Sequence, residues 1–232
     1  GLEKHSERKD DHLLHNSQAF MCSMLSNMSR MQTGSLYAAM NELSNHDHSR
    51  FLTRTNRMVG RLYKPEDAEK ADQGINYGTF RSGAVIQMTW PGAPTIYYGD
   101  EAGVCGWTDP DNRRTFPWGR EDLELTEFHR YLTGIRNRTP AFRRGALKPL
   151  LAENGVIAYG RFDADGQGIV VVNSEDYGQK VRIPVWEAEV TGETMERVML
   201  TDAERYNVGS LKYPVKDGVM ETEIPANGAM IF

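Results

Sequence analysis

The hydrophobic period of this chain changes once, near Pro140, from helical to alternating, which confines it to a helix-and-strand part followed by an all-strand part. In residues 14–31 the apolar side chains of Phe20, Met21, Met24, Leu25, Met28 and Met31 recur every three or four positions, the pattern of an amphipathic helix. The methionines read as core packing rather than as a cofactor site. Gly34 is expected to stop this helix, and residues 36–43 to form a short buried strand that ends at Ser44, Asn45, His46 and Asp47. The arrangement then repeats. After a shorter helical segment at residues 65–71, a second helix over residues 79–88 is closed by Pro91 and Gly92. Thr95, Ile96, Tyr97 and Tyr98 then predict a strand ending at Asp100 and Glu101. Two helix-then-strand units in succession imply a parallel sheet with helices outside it. Both units carry polar groups at the C-terminal end of the strand, where such folds bind ligands. A third helix, over residues 123–138, leads to Pro140.

Beyond it, the runs at residues 156–162, 168–172, 180–185, 196–200 and 219–224 are short and separated by turn-rich clusters such as residues 163–166 and 217–218. Their spacing predicts an antiparallel β-sandwich from residue 145 onward, and so two domains, 1–144 and 145–232. A net charge of −5 without clustered Lys and Arg argues against nucleic acid as a partner, and no apolar run is long enough to span a membrane. The N-terminus lacks a signal-peptide core, so the expected compartment is the cytoplasm. Cys22 and Cys105 lie far apart in unlike surroundings and read as free thiols.

Three groups of residues could carry chemistry. Asn45, His46 and Asp47 bring an amide, an imidazole and a carboxylate to one strand end. There they could hydrogen-bond vicinal hydroxyls, or the Asp could simply cap the following turn. Asp100 and Glu101 are adjacent carboxylates that point different ways and read as braces of the sheet's rim. Asp109, Pro110 and Arg113 share a long loop with Trp107, Phe116 and Trp118. Charged groups that fix hydroxyls beside flat apolar faces suit a sugar, although loop aromatics also pack as satellite cores.

These features resemble, together and in order, the α-amylase family, glycoside hydrolase family thirteen. Residues 43–50, LSNHDHSR, are similar to the motif at the end of that family's seventh barrel strand, with His46 and Asp47 on its His-Asp pair. Residues 92–103, GAPTIYYGDEAG, resemble the eighth strand and its exit, and residues 108–114, TDPDNRR, the sugar-binding loop beyond it. The implied fold is the last two strand-helix units of a (β/α)8 TIM barrel followed by an antiparallel β-sandwich C-terminal domain. By the same resemblance Asp47 is the catalytic carboxylate that stabilises the transition state. His46 would bond hydroxyls of the sugar at the cleavage site, and Asp109 and Arg113 would hold the next sugar toward the non-reducing end. The residues around 97–118 look most like the neopullulanase, cyclomaltodextrinase and maltogenic amylase branch, and share much with α-glucosidases.

The resemblance runs from about residue 14 onward but corresponds only to the end of the family's barrel. Retaining hydrolysis needs a carboxylate nucleophile and a second carboxylic acid about 5 Å away, which in this family follow the fourth and fifth strands. Nothing here resembles the motif of the nucleophile, so the chain is expected to be inactive alone, as part of a retaining α-glucan-acting hydrolase. Its implied partners are an α-glucan or maltooligosaccharide and the missing N-terminal half of the barrel, which would cover exposed strand edges. No cofactor is required of these residues, and calcium ligands of the family would come from earlier barrel segments. The competing reading is a non-catalytic carbohydrate-binding or scaffold protein derived from the amylase fold.

Overall fold

A computed structural model describes residues 2–232. The first part is helical. Helix α1 (Ser17–Ser29) starts where the Asn16 side chain accepts from the Ala19 N–H, α4 (Tyr77–Thr89) where Asn76 accepts from Thr79, and α5 (Leu123–Arg138) where Asp122 accepts from Leu125. In each case a short polar side chain satisfies an N–H that the helix itself cannot. Three shorter helices, α2 (Thr33–Ala38), α3 (Phe51–Arg54) and α6 (Pro140–Arg144), lie between or after them.

Two short parallel strands are present, the first far shorter than predicted and the second just before the predicted run rather than in it. Strand β1 (Met40–Asn41) pairs in parallel with β2 (Ala93–Pro94), the pairing completed by Ala93 N–H to the Ala39 carbonyl and Thr95 N–H to the Asn41 carbonyl. Residues 36–38, read as strand, belong instead to α2, and Gly34 lies inside that helix rather than ending one. A short apolar run satisfies either period, and the Leu36 N–H to Gln32 carbonyl bond decides for helix. Thr95, Ile96, Tyr97 and Tyr98 form no strand. Pro94 offers no N–H to extend the ladder, and the chain turns at Gly99, whose φ of 88° suits glycine.

From residue 146 the chain is strands. A six-stranded antiparallel sheet runs in the order β3-β4-β5-β12-β8-β9, with β3 (Ala146–Glu153), β4 (Val156–Asp163), β5 (Gly166–Asn173), β8 (Met199–Thr201), β9 (Tyr206–Asn207) and β12 (Gly228–Ile231). A four-stranded sheet runs β6-β11-β10-β7, with β6 (Gln179–Ile183), β7 (Thr194–Arg197), β10 (Leu211–Lys216) and β11 (Val219–Ile224). The run predicted at residues 196–200 is therefore two strands in two sheets, because the chain crosses between them at Val198.

The larger sheet is buried on both faces. Side chains of a strand alternate: Val156, Ala158, Ile169, Val171 and Met230 pack against Val181, Ile183, Met220 and Ile224 of the smaller sheet. Their neighbours Ile157, Tyr159, Val170, Val172 and Ile231 pack against Met21, Val85, Met88, Trp90, Phe128 and Leu132 of the helices. The sandwich and the helical part thus share one sheet, and β4 and β5 read as continuous apolar runs rather than alternating ones. Arg161 of β4 is fully buried in that seam and donates to the carbonyls of Thr89, Phe142, Gly145 and Ala146, covering the C-terminal carbonyls of α4 and α6.

Candidate functional site

The loop that follows β1 is held from behind. Ser44 Oγ accepts the Phe51 N–H at 2.9 Å, and Asn45 Oδ1 accepts the N–H groups of both Asp47 and His48 at 3.0 Å. The turn is therefore capped by Asn45, not by Asp47. The four carbonyls of residues 45–48 then all accept from side chains of the 108–113 segment. Asn112 Nδ2 donates to Asn45 O at 3.0 Å and His48 O at 2.7 Å, Arg113 Nε to His46 O at 3.2 Å, and Thr108 Oγ1 to Asp47 O at 2.6 Å. With the backbone turned this way, the side chains of His46 and Asp47 are 66% and 62% exposed, their polar atoms 3.5 Å apart. The second half of the predicted site sits beside them: Arg113 Nε pairs with Asp109 Oδ1 at 2.8 Å, both half exposed. All four residues singled out from the sequence thus meet in one place. Asp47 and Asp109 line an open polar cleft of about 490 Å³ with Lys4, His5, His48 and Thr108.

Beneath the loop lies a buried charge pair. Arg50 is fully buried, and its Nη1 donates to Asp100 Oδ1 at 2.9 Å and to the Tyr98 carbonyl at 2.6 Å, while its Nε donates to the Asn112 carbonyl at 2.8 Å. Its guanidinium lies 4.0 Å from the centre of the Tyr97 ring. Burial pushes the Asp100 carboxyl up to about 6, against the pull of Arg50 and a hydrogen bond from Ser44. Glu101 turns the other way and accepts the Gly99 N–H at 2.8 Å, so the pair Asp100 and Glu101 braces the rim as read. Arg54, half-buried, is lowered to about 10 by desolvation and donates to the Leu43 carbonyl. His48 is held below its usual value, first by burial and then by the charges of Lys4 and Arg54.

Arg50, Asn112, Thr108 and Asp111 carry this arrangement and were not assigned roles from the sequence. Asp111 accepts the Trp107 N–H at 2.8 Å and bonds from Nε and Nη2 of Arg114. A signal was available for Arg50, a charged residue followed directly by the apolar Phe51 and Leu52. None was available for the N-terminal residues, whose lack of periodicity concealed that Leu2 bridges Lys9 and that the turn between them adjoins Asp47. The aromatic pair Phe116 and Trp118, 4.5 Å between ring centres, presents a Trp that is 81% exposed. Among the described residues no group of three or more His, Cys, Asp and Glu is placed to hold a metal ion, and no helix is long and apolar enough to cross a membrane.

The site's surroundings match known proteins along most of the chain. The sequence profile described as "Alpha amylase, catalytic domain" matches residues 3–213. The amylopullulanase of Thermoanaerobacter thermohydrosulfuricus is 36% identical over 210 residues, covering 84% of this chain and 13% of that protein. Neopullulanase 2 of Thermoactinomyces vulgaris is 34% identical over 152 residues, 64% of this chain and 23% of that protein. Among solved structures, the native debranching enzyme of Nostoc punctiforme superposes with a TM-score of 0.71 at 21% identity, over 93% of this chain and 39% of that one. The chain therefore spans well under half the length of these relatives. Neopullulanases and cyclomaltodextrinases are the company expected from residues 97–118; amylopullulanases, which match over more of the chain, were not foreseen. By these matches the chain belongs to the α-amylase family, glycoside hydrolase family thirteen.

Proposed function

We propose that these residues are the C-terminal part of a retaining α-glucan-acting glycoside hydrolase. In this reading residues 1–144 close the last two strand-helix units of a (β/α)8 barrel, and residues 145–232 form its C-terminal sandwich. Asp47 stabilises the transition state, His46 bonds hydroxyls of the sugar being cleaved, and Asp109 with Arg113 holds the neighbouring sugar. The nucleophile and the acid/base lie outside this chain, which alone does not hydrolyse glycosides, and the rest of the barrel is its partner.

The observation that carries the reading is the set of four bonds to carbonyls 45–48, which fix the backbone and leave the His46 and Asp47 side chains exposed. A carboxylate held in this way loses little freedom when it grips a sugar, so its bonds can tighten as the ring moves toward an oxocarbenium-like state. Substituting Asp47→Asn in the complete enzyme is expected to lower kcat by about 10²–10³-fold with a small change in KM. Asp109→Ala is expected to raise KM instead. An unchanged kcat in the Asp47 variant removes that residue from the reaction. Equilibrium binding of maltooligosaccharides by this chain alone, weakened by Asp109→Ala, would favour a non-catalytic carbohydrate-binding protein instead.

A further inference from the structure

The cleft beside Asp47 contains a side chain that no motif covers. His5 lies in the turn closed by the Leu2 to Lys9 bridge, and the backbone on either side of it is tied down: the Lys4 carbonyl accepts the Ser49 N–H at 3.0 Å and the Ser6 carbonyl accepts the Gly60 N–H at 3.0 Å. Its ring meets that of His48 edge-on, with centres 5.2 Å apart. His5 Nδ1 is 3.1 Å from Thr108 Oγ1, and Thr108 Oγ1 is 2.6 Å from the Asp47 carbonyl oxygen.

These two distances fix a proton. A carbonyl oxygen only accepts, so the single hydroxyl proton of Thr108 is committed to Asp47. Toward His5, Thr108 Oγ1 then has only lone pairs, and His5 Nδ1 must be the donor. In a neutral ring the free lone pair falls on Nε2, which has no hydrogen-bond partner among the described residues. The cleft that His5 lines presents the donors Lys4 and Arg61 and the acceptors Glu7, Asp47 and Asp109, with Arg61 paired to Glu7. Interleaved donors and acceptors suit hydroxyl groups, which do both, better than they suit an ion of either sign.

We infer that His5 is a further substrate-binding residue of this site: its Nε2 accepts a hydrogen bond from a hydroxyl of the bound α-glucan, while its Nδ1, through Thr108, fixes the carbonyl of Asp47. The inference rests on the reading of Asp47 and Asp109 as sugar-handling residues. The two nitrogens have separable jobs, and two substitutions separate them. His5→Asn keeps a donor near the position of Nδ1 and removes the acceptor at Nε2. His5→Phe removes both and keeps a ring against His48.

Two measurements test it. In 15N spectra of histidine-labelled chain, the His5 signals, identified by their loss in His5→Phe, should show a pyrrole-type Nδ1 and a pyridine-type Nε2, and Thr108→Val should abolish that preference. The opposite tautomer in the unsubstituted chain overturns the proton assignment and the inference with it. In the complete enzyme acting on maltotetraose, His5→Asn should raise KM about 3- to 10-fold, the loss of one hydrogen bond, with kcat changed less than about twofold. His5→Phe should lower kcat as well. An unchanged KM in His5→Asn alongside a raised KM in Asp109→Ala overturns the role of His5 and leaves the site standing, whereas no effect of either substitution overturns both.

Discussion

Whether the buried pair Arg50 and Asp100 helps or hinders folding is decided by the sign of one slope. Asp100 is 3% exposed, and its carboxyl is pushed from 3.8 up to about 6 because burial outweighs Arg50, 2.9 Å away. Between those two values the folded chain keeps a proton that the unfolded chain has released, so this group's stabilisation is full below 3.8 and is lost as pH rises through 6. A shift of roughly two units corresponds to roughly 3 kcal/mol. Asp100→Asn keeps the shape and cannot titrate. The test is urea unfolding followed by circular dichroism, on both proteins, at several pH values from about 3.5 to 7. The stability of the wild-type chain minus that of the variant should fall by about 3 kcal/mol over this range; groups that titrate alike in both proteins cancel. Removing one partner of a buried pair commonly costs about 3–5 kcal/mol, and that expectation gives the opposite trend, a difference that grows as the carboxylate ionises. A rise with pH would refute the reasoning, since it would mean that Arg50 outweighs burial.

Three further outcomes follow from the packing. Arg161→Met removes the buried guanidinium that donates to the carbonyls of Thr89, Phe142, Gly145 and Ala146, of which Phe142 keeps a bond from Arg136 and Gly145 one from the Tyr37 hydroxyl. The expected loss is about 3 kcal/mol, a fall in Tm of roughly 6–12 °C by calorimetry, and a fall under about 2 °C would show that water replaces the guanidinium. Gly168→Ala on β5 would place a Cβ 2.5 Å from Phe142 Cζ, for an expected cost of about 1–3 kcal/mol in urea that Phe142→Leu partly relieves. No relief by the second substitution would rule out that contact. The Cys105 thiol is buried and pushed up to about 11 by desolvation, whereas Cys22 is exposed. One thiol should react with iodoacetamide in the native chain and two after unfolding, and native labelling of Cys105 would contradict its burial.

The parts of the fold that the sequence disclosed are those where one rule acts alone. Helix α1 stands out because Phe20, Met21, Met24, Leu25 and Met28 keep a period that only a helix satisfies, and Asn16 supplies its cap. Strands β4 and β11 are visible because turn residues bracket them. Within residues 36–43 the helical start is hidden because Leu36, Tyr37 and Ala38 fit either period, and the choice rests on bonds to Gln32 and a strand partner at Ala93, fifty residues away. Strand β12, with Gly228 and Met230, has too little β propensity to declare itself and is fixed by its place between β5 and β8. In the site, His46, Asp47, Asp109 and Arg113 were legible because their types and order are those of a family motif. Thr108 and Asn112 belong to the same motif, but their work is done through a hydroxyl and an amide that reach back sixty residues to carbonyls, and sequence carries no mark of that.

That work explains how so small a sheet can position a site. Two strands of two residues each hold little on their own, and fixing the backbone of an exposed residue costs about 1–2 kcal/mol. The loop after β1 recovers that cost through side chains: Asn45 and Ser44 accept its N–H groups, while Asn112, Arg113 and Thr108 donate to its carbonyls, each bond worth about 1 kcal/mol net. The donors must in turn be held, and the buried Arg50 does so by gripping the Asn112 carbonyl, while the Arg50 and Gly106 backbones bond to each other at 2.9 Å. Asp100 then has a reason to stay buried beside Arg50 despite the strain that burial puts on its ionisation: it anchors the guanidinium that anchors the segment that orients Asp47. Stability is given up at Asp100 where precision is gained at the loop.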